Sequence, residues 1–323
     1  MKRPGRVMLG LLGLMMLSVI HALVTGSAGF GWLQSLAAVF GLGDPLVVSV
    51  VTELRLPRVF GALLAGGLLA LAGALMQVLL RNPLADPYVL GVSGGASLAA
   101  LLAMLAGLGG VWLGLGSFAG ALCAMLLVFG LAHARGRWSL SRLLLTGVIV
   151  AAGWGALISF VLAIAPDARL RGMLYWLMGD LAGVEPGLFP LLVLILGLGL
   201  AWALARDLNL LARGGLQAAV LGVPVNALRM GIYFLASLLT AAAVSLAGNI
   251  GFIGLIIPHL LRLLLGSDHR LLLPAAVMLG GSFLLLADTL ARSLFAPQQL
   301  PVGVLTALLG VPVFLYLLQR EGR

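Results

Sequence analysis

Residues 57–97 read PRVFGALLAGGLLALAGALMQVLLRNPLADPYVLGVSGGAS. The first part, as far as Leu80, is almost entirely apolar and long enough to cross a bilayer, which takes about 20 residues. The part from Arg81 to Ser97 is polar and contains Pro83 and Pro87, which interrupt helices. Another apolar run follows. The stretch therefore indicates two membrane spans joined by a broken polar segment.

The rest of the chain has the same character. Its 323 residues are 62% hydrophobic and only 9% charged, whereas a soluble domain carries about 25% charged residues. In lipid only helices and closed barrels satisfy the backbone, and the apolar runs here are much longer than the strands of a barrel, which take about 10 residues. We therefore predict an all-α, polytopic transmembrane bundle of about ten helices.

The expected spans make up one transmembrane domain, residues 1–323, because no segment has the composition of a soluble domain. Two mildly polar stretches, 166–187 and 206–228, are expected to hold short interfacial helices. The span 252–265 is short and contains Pro258, so its ends need protein around them rather than lipid. The ten spans are predicted at 7–29, 57–80, 88–107, 111–133, 141–165, 188–205, 229–248, 252–265, 272–294 and 303–319.

The basic residues predict the orientation of these spans. With the N-terminus in the cytoplasm, fourteen of the 19 Lys and Arg residues fall on the cytoplasmic side, as the positive-inside rule requires. The distribution accounts for the high pI better than a nucleic-acid partner does. The cytoplasmic set is Lys2, Arg3, Arg6, Arg81, Arg135, Arg137, Arg142, Arg206, Arg213, Arg229, Arg262, Arg270, Arg320 and Arg323. The outer set is Arg55, Arg58, Arg169, Arg171 and Arg292.

Three kinds of chemistry can be weighed from the residues. Lys2 is the only lysine, so the chain holds no phosphate-binding Gly-x-x-x-x-Gly-Lys loop, and ATP hydrolysis would need another chain. Ser93 lies in a Gly-x-Ser-Gly pattern like that of intramembrane serine proteases, with His259 as a conceivable base; helix packing for Ser93, and a bond from His259 to a carbonyl freed by Pro258, are the stronger interpretations. A proton-coupled carrier would depend on a carboxylate inside the membrane, for which Asp288 is the candidate.

Arg55 and Arg58 stand on the outer side, against the charge bias. Pro57 predicts that a helix begins there, and cations are unfavourable near a helix N-terminus. Two explanations remain open from spacing alone. The arginines pair with Glu53 or lipid phosphate, or they dock an acidic partner surface.

Several motifs in order along the chain resemble the FecCD-type permeases, the membrane subunits of iron-siderophore, haem and vitamin B12 importers. The resemblance implies a type II ABC importer permease fold and a homodimer in the bacterial inner membrane, with both termini cytoplasmic. It also implies two separate ATPase subunits, which bind the ATP and Mg, and a periplasmic substrate-binding protein; the chain itself is expected to hold no cofactor or metal and to be no enzyme. The motifs are Arg55-Leu-Pro-Arg-Val, Gly73-Ala-Leu-Met-Gln77, Arg81-Asn-Pro-Leu-Ala-Asp-Pro87, Leu90-Gly-Val-Ser-Gly94, Leu174-Tyr-Trp-Leu-Met-Gly179, Gly251-Phe-Ile-Gly-Leu-Ile-Ile-Pro-His259, Asp268-His-Arg270, Leu286-Ala-Asp-Thr-Leu-Ala-Arg292 and Leu300-Pro-Val-Gly-Val-Leu-Thr-Ala-Leu-Leu-Gly310.

The resemblance also implies roles for individual residues. Arg55, Arg58 and Arg292 match positions that dock the binding protein. Asn82 and Leu84 match one cytoplasmic gate, and Leu140 and Ser141 match the other, where Leu140 replaces a hydroxyl residue of the vitamin B12 member. The segment 214–224 matches the coupling segment in the ATPase groove, although Gly215 and Ala219 stand where relatives usually carry Glu and Arg. The coupling residues are then Gly214, Gly215, Leu216, Gln217, Ala218, Ala219, Leu221 and Gly222.

Overall fold

The computed structural model describes residues 4–26, 29–133, 139–296 and 298–321, and all regular elements in these ranges are helices. Lys2, Arg3, Arg135, Arg137 and Arg323, which the predicted charge asymmetry includes, lie outside the described residues. The helices are α1 (Pro4–Val24), α2 (Trp32–Ala38), α3 (Pro45–Ser49), a π-helix (Val50–Arg55), α4 (Leu56–Leu80), a 3-10 helix (Pro87–Leu90), α5 (Val92–Leu105), α6 (Val111–His133), α7 (Leu140–Ile164), α8 (Asp167–Leu177), α9 (Leu188–Ala203), α10 (Ala205–Arg213), α11 (Gly215–Val220), α12 (Val225–Ala247), α13 (Ile253–Leu265), α14 (His269–Ser293) and α15 (Val302–Glu321).

The predicted bundle is confirmed. Six helices in the described part of the chain are long and apolar enough to span a membrane, and α9 with α10 forms a seventh candidate bent by 62°. Three shorter apolar helices, α5, α13 and α15, complete the set. Each of the ten predicted spans therefore coincides with an apolar helix. Short helices also lie in both expected interfacial stretches, α8 in the first and α10 and α11 in the second.

The start of the second span differs from the prediction. One apolar helical segment runs without interruption from Pro45 to Leu80. Asp44 is its N-cap, and the Asp44 carboxylate accepts from the Leu46 N–H at 2.8 Å. Pro57 thus lies inside a helix, where its ring takes the place of an N–H donor, and the preceding turns at 50–55 widen into a π-helix. A π-turn is a recognised way to absorb such a local irregularity. Arg55 and Arg58 consequently do not stand at a helix N-terminus.

α4 and α14 are antiparallel and form the centre of the bundle. Gly66 and Gly280 face each other so closely that a Cβ on Gly280 would lie 2.5 Å from the Gly66 carbonyl oxygen. At the next residue of α14, a Cβ on Gly281 would lie 2.9 Å from the Leu63 carbonyl oxygen. Such backbone proximity maximises dispersion contacts, which hold helices together in lipid where the hydrophobic effect does not. The two helices therefore pack as one rigid pair.

The pair defines two ends of the bundle. Arg55, Arg58 and Arg292 mark one, here called the arginine end. The other, here called the loop end, carries the segments 81–86, 204–224 and 266–268. α4 has 25 residues, so the two ends are roughly 37 Å apart.

α5 and α13 are half-length spans that begin inside the bundle. Backbone outside a helix is tolerated at that depth only where protein satisfies it. Tyr88 does so: its hydroxyl donates to the Ile250 carbonyl at 3.0 Å and accepts from the Ile250 N–H at 3.1 Å. The segments that lead into both half-helices are thereby joined to each other.

Pro258 inside α13 leaves the Gly254 carbonyl without its helical donor. Gln77 of α4, which is 3% exposed, supplies one from its Nε2, 3.3 Å away, and also donates to the Leu255 carbonyl at 3.1 Å. The Gln77 Oε1 in turn accepts from Arg262. His259, which the sequence suggested for this role, packs edge-on against Phe314, with 6.3 Å between the ring centroids.

Pro274 inside α14 also leaves a backbone carbonyl without its helical donor, and a side chain of another helix again supplies one. The carbonyl four residues earlier, that of Arg270, accepts from the Trp202 indole N–H at 3.1 Å. A side chain of one helix thus completes the backbone of another, as it does at Pro258. This compensation lets prolines persist within transmembrane helices.

Substituting Gly280 by Val should loosen the α4–α14 pair, because the new Cβ would lie 2.5 Å from Ala70 Cβ as well as from the Gly66 carbonyl. Overpacking of this kind costs about 1–3 kcal/mol or more. We expect a lower midpoint of thermal unfolding in detergent than for the parent chain.

The matched control is Gly199→Val in α9, where nothing lies within 4 Å of the added Cβ. Its midpoint should stay close to that of the parent. Equal losses in both variants would show that removing a helical glycine, rather than separating α4 from α14, destabilises the fold.

Candidate functional site

The arginine end is organised around Asp288 of α14, which is 1% exposed. Arg58 binds it with one edge of the guanidinium: Nε lies 3.0 and 2.9 Å from the two carboxylate oxygens, and Nη2 lies 2.9 Å from Oδ1. The remaining nitrogen of Arg58 donates to Gln299 at 2.7 Å. This bidentate pair fastens the outer turn of α4 to that of α14.

Arg292 and Arg55 complete the cluster by capping α1. Arg292 lies one turn beyond Asp288, with Nε 3.9 Å from the carboxylate, and donates to the Ala22 carbonyl. Arg55 is 4% exposed and donates to the carbonyls of Leu23 at 2.6 Å and Val24 at 3.2 Å. The last carbonyls of a helix lack internal donors and carry partial negative charge, so both arginines stabilise the end of α1.

The structure thus brings together the three arginines expected to dock a partner, and it shows contacts that the sequence did not predict. Glu53 is not their partner; its carboxylate accepts from Ser49 at 3.1 Å. Asp288 was considered only as a proton carrier, yet it holds two of the arginines. The spacing Asp288-x-x-x-Arg292 was the available signal, because residues four apart share one helix face.

A fourth outer arginine also caps a helix. Arg169 of α8 donates to the carbonyls of Met104, at 3.0 Å, and Leu105 at the end of α5. Arg171 lies over the ring of Tyr175, 5.5 Å from its centroid, within range of a cation–π interaction. The positive charges that oppose the inside-positive bias are therefore used by helix termini, one carboxylate and one aromatic ring.

The first gate loop is a tight turn directly after α4. Arg81 adopts the left-handed conformation at φ 49° and ends the helix. The Asn82 side chain accepts from the Leu84 N–H at 2.9 Å, which fixes the turn and leaves Leu84 39% exposed. Asp86 then accepts from the Tyr88 N–H at 2.8 Å, and desolvation raises the pKa of its carboxyl to about 6.

The residues expected to form the second gate, Leu140 and Ser141, are the first two residues of α7. Ser139 caps the helix by accepting from the Arg142 N–H at 3.3 Å, and Ser141 is exposed while Leu140 is half-buried. Two turns further on, Gly147 packs on the segment that follows the first gate loop: a Cβ there would lie 2.8 Å from the Val89 carbonyl oxygen. The two gate segments therefore flank one helix contact at the loop end.

The coupling segment forms a short projection at the same end. Gly214, at φ 147°, joins α10 to α11 in a conformation that suits only glycine. Within α11, Leu216 and Val220 are each 87% exposed, and they border a groove of about 440 Å³ that also contacts Arg213. Large apolar side chains this exposed, beside Arg213 and Gln217, indicate a surface that another protein covers.

The other coupling residues differ in accessibility. Gln217, Ala219, Leu221 and Gly222 are exposed, Gly215 is half-buried, and Gly214 and Ala218 are buried. Gly215 has a specific reason to lack a side chain, since a Cβ would lie 2.8 Å from Nη2 of Arg229. The guanidinium of Arg229 thus occupies the space that a side chain at position 215 would need.

The chemical alternatives receive no support from the geometry. Among the described side chains, no hydrogen bond joins Ser93 of α5 to His259 of α13, as a nucleophile and its base require. Asp288 is bound in an ion pair rather than poised to carry protons. In the described ranges, no group of three His, Cys, Asp or Glu residues could hold a metal ion.

Comparisons with known proteins cover nearly the whole chain. The profile of the FecCD transport family matches residues 14–320. The chain is 43% identical over 302 residues to an uncharacterized ABC transporter permease protein, YvrB, of Bacillus subtilis, which covers 90% of this chain and 85% of that one. It is 42% identical to the cobalamin import system permease protein BtuC of Halobacterium salinarum (94% and 84% covered) and 41% identical to the vitamin B12 import system permease protein BtuC of Escherichia coli (97% and 95% covered).

Solved structures agree. A metal-chelate type ABC transporter in an inward-facing conformation superposes with a TM-score of 0.87 at 32% identity, covering 98% of this chain and 99% of that one. The PsaBC complex of Streptococcus pneumoniae shares the fold, with a TM-score of 0.57 at 19% identity over 84% of this chain and 93% of that one. Fold, motifs and sequence identity along the chain agree, and the protein is a member of the FecCD transport family.

Proposed function

We propose that this chain is the membrane subunit of an ABC importer that carries a metal chelate from the periplasm to the cytoplasm. Two copies form the pathway, two ATPase subunits bind the loop end, and a binding protein delivers substrate at the arginine end. The exposed apolar face of α11 carries the proposal, since Leu216 and Val220 project at the loop end, where they border an open groove. The chain sits in the bacterial inner membrane with both termini cytoplasmic, as the arginine distribution favours.

Import proceeds by alternating access in this scheme. Closure of the ATPases pushes α11, and the movement reaches the gates at 82–84 and 140–141. ATP and Mg belong to the partner ATPases, because the only lysine, Lys2, is in no phosphate-binding loop. The chain's own residues supply the docking charges, the gates and the contact that receives the motion.

The pathway between two copies would run beside α7. This helix carries the second gate at its start. Only 11% of its most apolar 18-residue stretch is buried within the protomer, whereas 89% of the corresponding stretch is buried in the helix that contains α4. Its exposed residues Leu145, Ile149, Leu157 and Phe160 are four, eight and three positions apart in turn, spacings that keep them on one face of the helix. A second copy covering this face would place both sets of gate residues around one axis.

The arginine end supplies the docking surface. Three arginines surround one carboxylate, which leaves an excess of positive charge, and such a field steers acidic partners and orients them. Arg58 at 12% and Arg292 at 10% side-chain exposure remain accessible to an acidic side chain at close range. Arg55 contributes mainly by fixing the end of α1 beneath them.

The substrate class follows from relatives that import cobalamin and from a neighbour described as a metal-chelate transporter. Ferric siderophores and haem are carried by the same family architecture. The absorption spectrum of ligand bound to the cognate binding protein tests this. We expect the bands of a corrinoid, a haem or a ferric siderophore; a colourless, metal-free ligand would contradict the proposal.

The coupling contact predicts the effect of charge on the exposed face of α11. Replacing Leu216 and Val220 with Glu should prevent the helix from entering an apolar ATPase groove. Loss of two buried aliphatic side chains removes about 3–6 kcal/mol, which corresponds to a factor of at least about 100 in affinity. Co-purification with the cognate ATPase subunit, measured at equal permease expression, should fall accordingly.

Leu42→Glu is the matched control, since Leu42 is also an exposed leucine, at 63%, but follows α2 at the arginine end. It should leave ATPase co-purification unchanged. Retention of the ATPase by the α11 variant would contradict the assignment of 214–222.

The docking surface predicts a specific loss when Arg58 is neutralised. Because removing Arg58 alone would leave Asp288 as a buried unpaired charge, costing about 3–5 kcal/mol, the test variant is Arg58→Gln with Asp288→Asn. It keeps the net charge of the cluster and polar side chains at both positions. We expect its affinity for the cognate binding protein to fall about tenfold, the range of a lost charge-assisted bond.

Arg171→Gln serves as control, since it removes one exposed positive charge at the same end without touching the cluster. Binding-protein affinity is measured by surface plasmon resonance on nanodiscs at two salt concentrations. This separates general electrostatic attraction, which salt screens, from the specific contact with Arg58. If Arg171→Gln weakens docking as much as the double variant does, general electrostatics rather than the Arg58 contact attracts the partner.

A further inference from the structure

Asn209 of α10 joins the helix that bears the coupling segment to the start of α14. Its Nδ2 donates to Asp268 Oδ1 at 2.8 Å. Its Oδ1 accepts from the His269 N–H at 2.9 Å and lies 2.6 Å from His269 Nδ1. One amide therefore spans the N-cap and the first residue of α14 at once.

Both partners of Asn209 are structurally important. Asp268 is the N-cap of α14, because the same Oδ1 accepts from the Arg270 N–H at 3.1 Å. The Asn209 amide, together with that N–H, holds the pKa of Asp268 below its usual range, so the carboxylate stays charged. His269 is 1% exposed, and its backbone N–H is one of the donors that a helix start leaves without an internal acceptor.

On the other side, α10 is closely connected to the coupling segment. Its last residue, Arg213, is followed by Gly214, whose carbonyl accepts from the Ala218 N–H at 2.9 Å and so starts α11. Leu208 and Leu211 of α10 are buried, and the helix packs against α4, α9 and α14. A displacement of α11 would therefore move α10, and Asn209 stands on the side of α10 that meets α14.

α14 leads from this joint to the gate. It is locked to α4 by the Gly66–Gly280 contact and by the Arg58–Asp288 pair. α4 in turn ends at Arg81, and the turn of Asn82 and Leu84 follows without interruption. The residues from Asn209 to Leu84 thus form a continuous path of hydrogen bonds and close backbone packing.

We propose that Asn209 is a positioning residue that transmits movement of the coupling segment to α14, and through α4 to the gate at 82–84. The inference rests on the proposed function, in which 214–222 receives the ATPase. Asparagine suits the joint because it donates to the Asp268 carboxylate and accepts from His269 with one side chain. Aspartate would set two carboxylates against each other, and an aliphatic residue would leave the His269 N–H without its acceptor.

The test needs no knowledge of the transported substrate. The single native cysteine, Cys123, is replaced by Ser, and a spin label is attached at Leu84→Cys in the complete complex with the cognate ATPase in nanodiscs. Each of the two permease copies in the complex then carries one label. The distance between these two labels is measured by pulsed EPR before and after trapping the ATPase with vanadate. ATP hydrolysis and ATPase co-purification are measured on the same samples.

Asn209→Asp should keep ATPase binding and ATP hydrolysis but lose the change in label distance that the parent shows. Adding Asp268→Asn should restore it, because an asparagine at position 268 still caps α14 while its amide donates to the new carboxylate at position 209. Asn226→Asp, the same substitution at an exposed residue near the start of α12, should behave as the parent. The fraction of complexes that reach the label distance of the trapped parent should fall at least about tenfold in Asn209→Asp, within the range of site-to-site coupling, and recover in the double variant.

Each result decides one question. A normal distance change in Asn209→Asp overturns the proposal, and so does failure of Asp268→Asn to restore it, since either result means the paired bonds do not transmit the motion. Loss of ATPase co-purification in Asn209→Asp also overturns it, by assigning Asn209 to assembly. Failure of the parent itself to bind the ATPase or to change its label distance would instead refute the proposed function.

Discussion

The membrane imposes one requirement on this chain above all others: each backbone carbonyl freed from a helix must find a donor within the protein. An unsatisfied polar group in hydrocarbon costs several kcal/mol. Gln77 and Trp202 provide donors for the carbonyls that Pro258 and Pro274 release, and Tyr88 satisfies both backbone groups of Ile250. In each case a side chain from one helix completes another, so these contacts also fix how the helices are arranged.

These side-chain bonds to the backbone of neighbouring helices explain how a rigid bundle can contain interrupted helices. The α4–α14 pair depends on glycine and cannot accept even a methyl group at Gly280 without a shift. Around it stand half-helices and short projections, α5, α13 and α11, whose ends are held by individual hydrogen bonds. Packed helices move as units, whereas segments tied by a few bonds can be displaced at low cost. The segment 82–84, proposed as a gate, lies where the second kind of segment meets the first.

The sequence predicted the apolar helices well, because twenty apolar residues have few alternatives in lipid. The prediction of a helix start at Pro57 is wrong, because the helix already begins at Pro45. A π-helix at 50–55 absorbs the proline, and no local sequence pattern indicates such a widened turn. Motif resemblance brought out the residues of the candidate site, yet the importance of Asp288 and Asn209 depends on contacts with Arg58 and with Asp268, which are distant in the chain. Such pairings are decided by tertiary packing, so the sequence alone could not reveal them.

The arginine end illustrates how one set of charges can serve both fold and partner. Four helix-capping or ion-paired arginines, Arg55, Arg58, Arg169 and Arg292, occur on the side where the predicted orientation disfavours positive charge, so their position needs compensation from within the protein. The ends of α1 and α5 and the Asp288 carboxylate supply it. Because the cluster of Arg55, Arg58 and Arg292 contains one carboxylate, which pairs with two of them, the charge compensation is incomplete, and the remaining positive charge is available to an acidic surface. A partner that pairs with Arg58 or Arg292 would thus act directly on α4 and α14 at the arginine end, the same rigid pair whose other end adjoins the turn at 82–84.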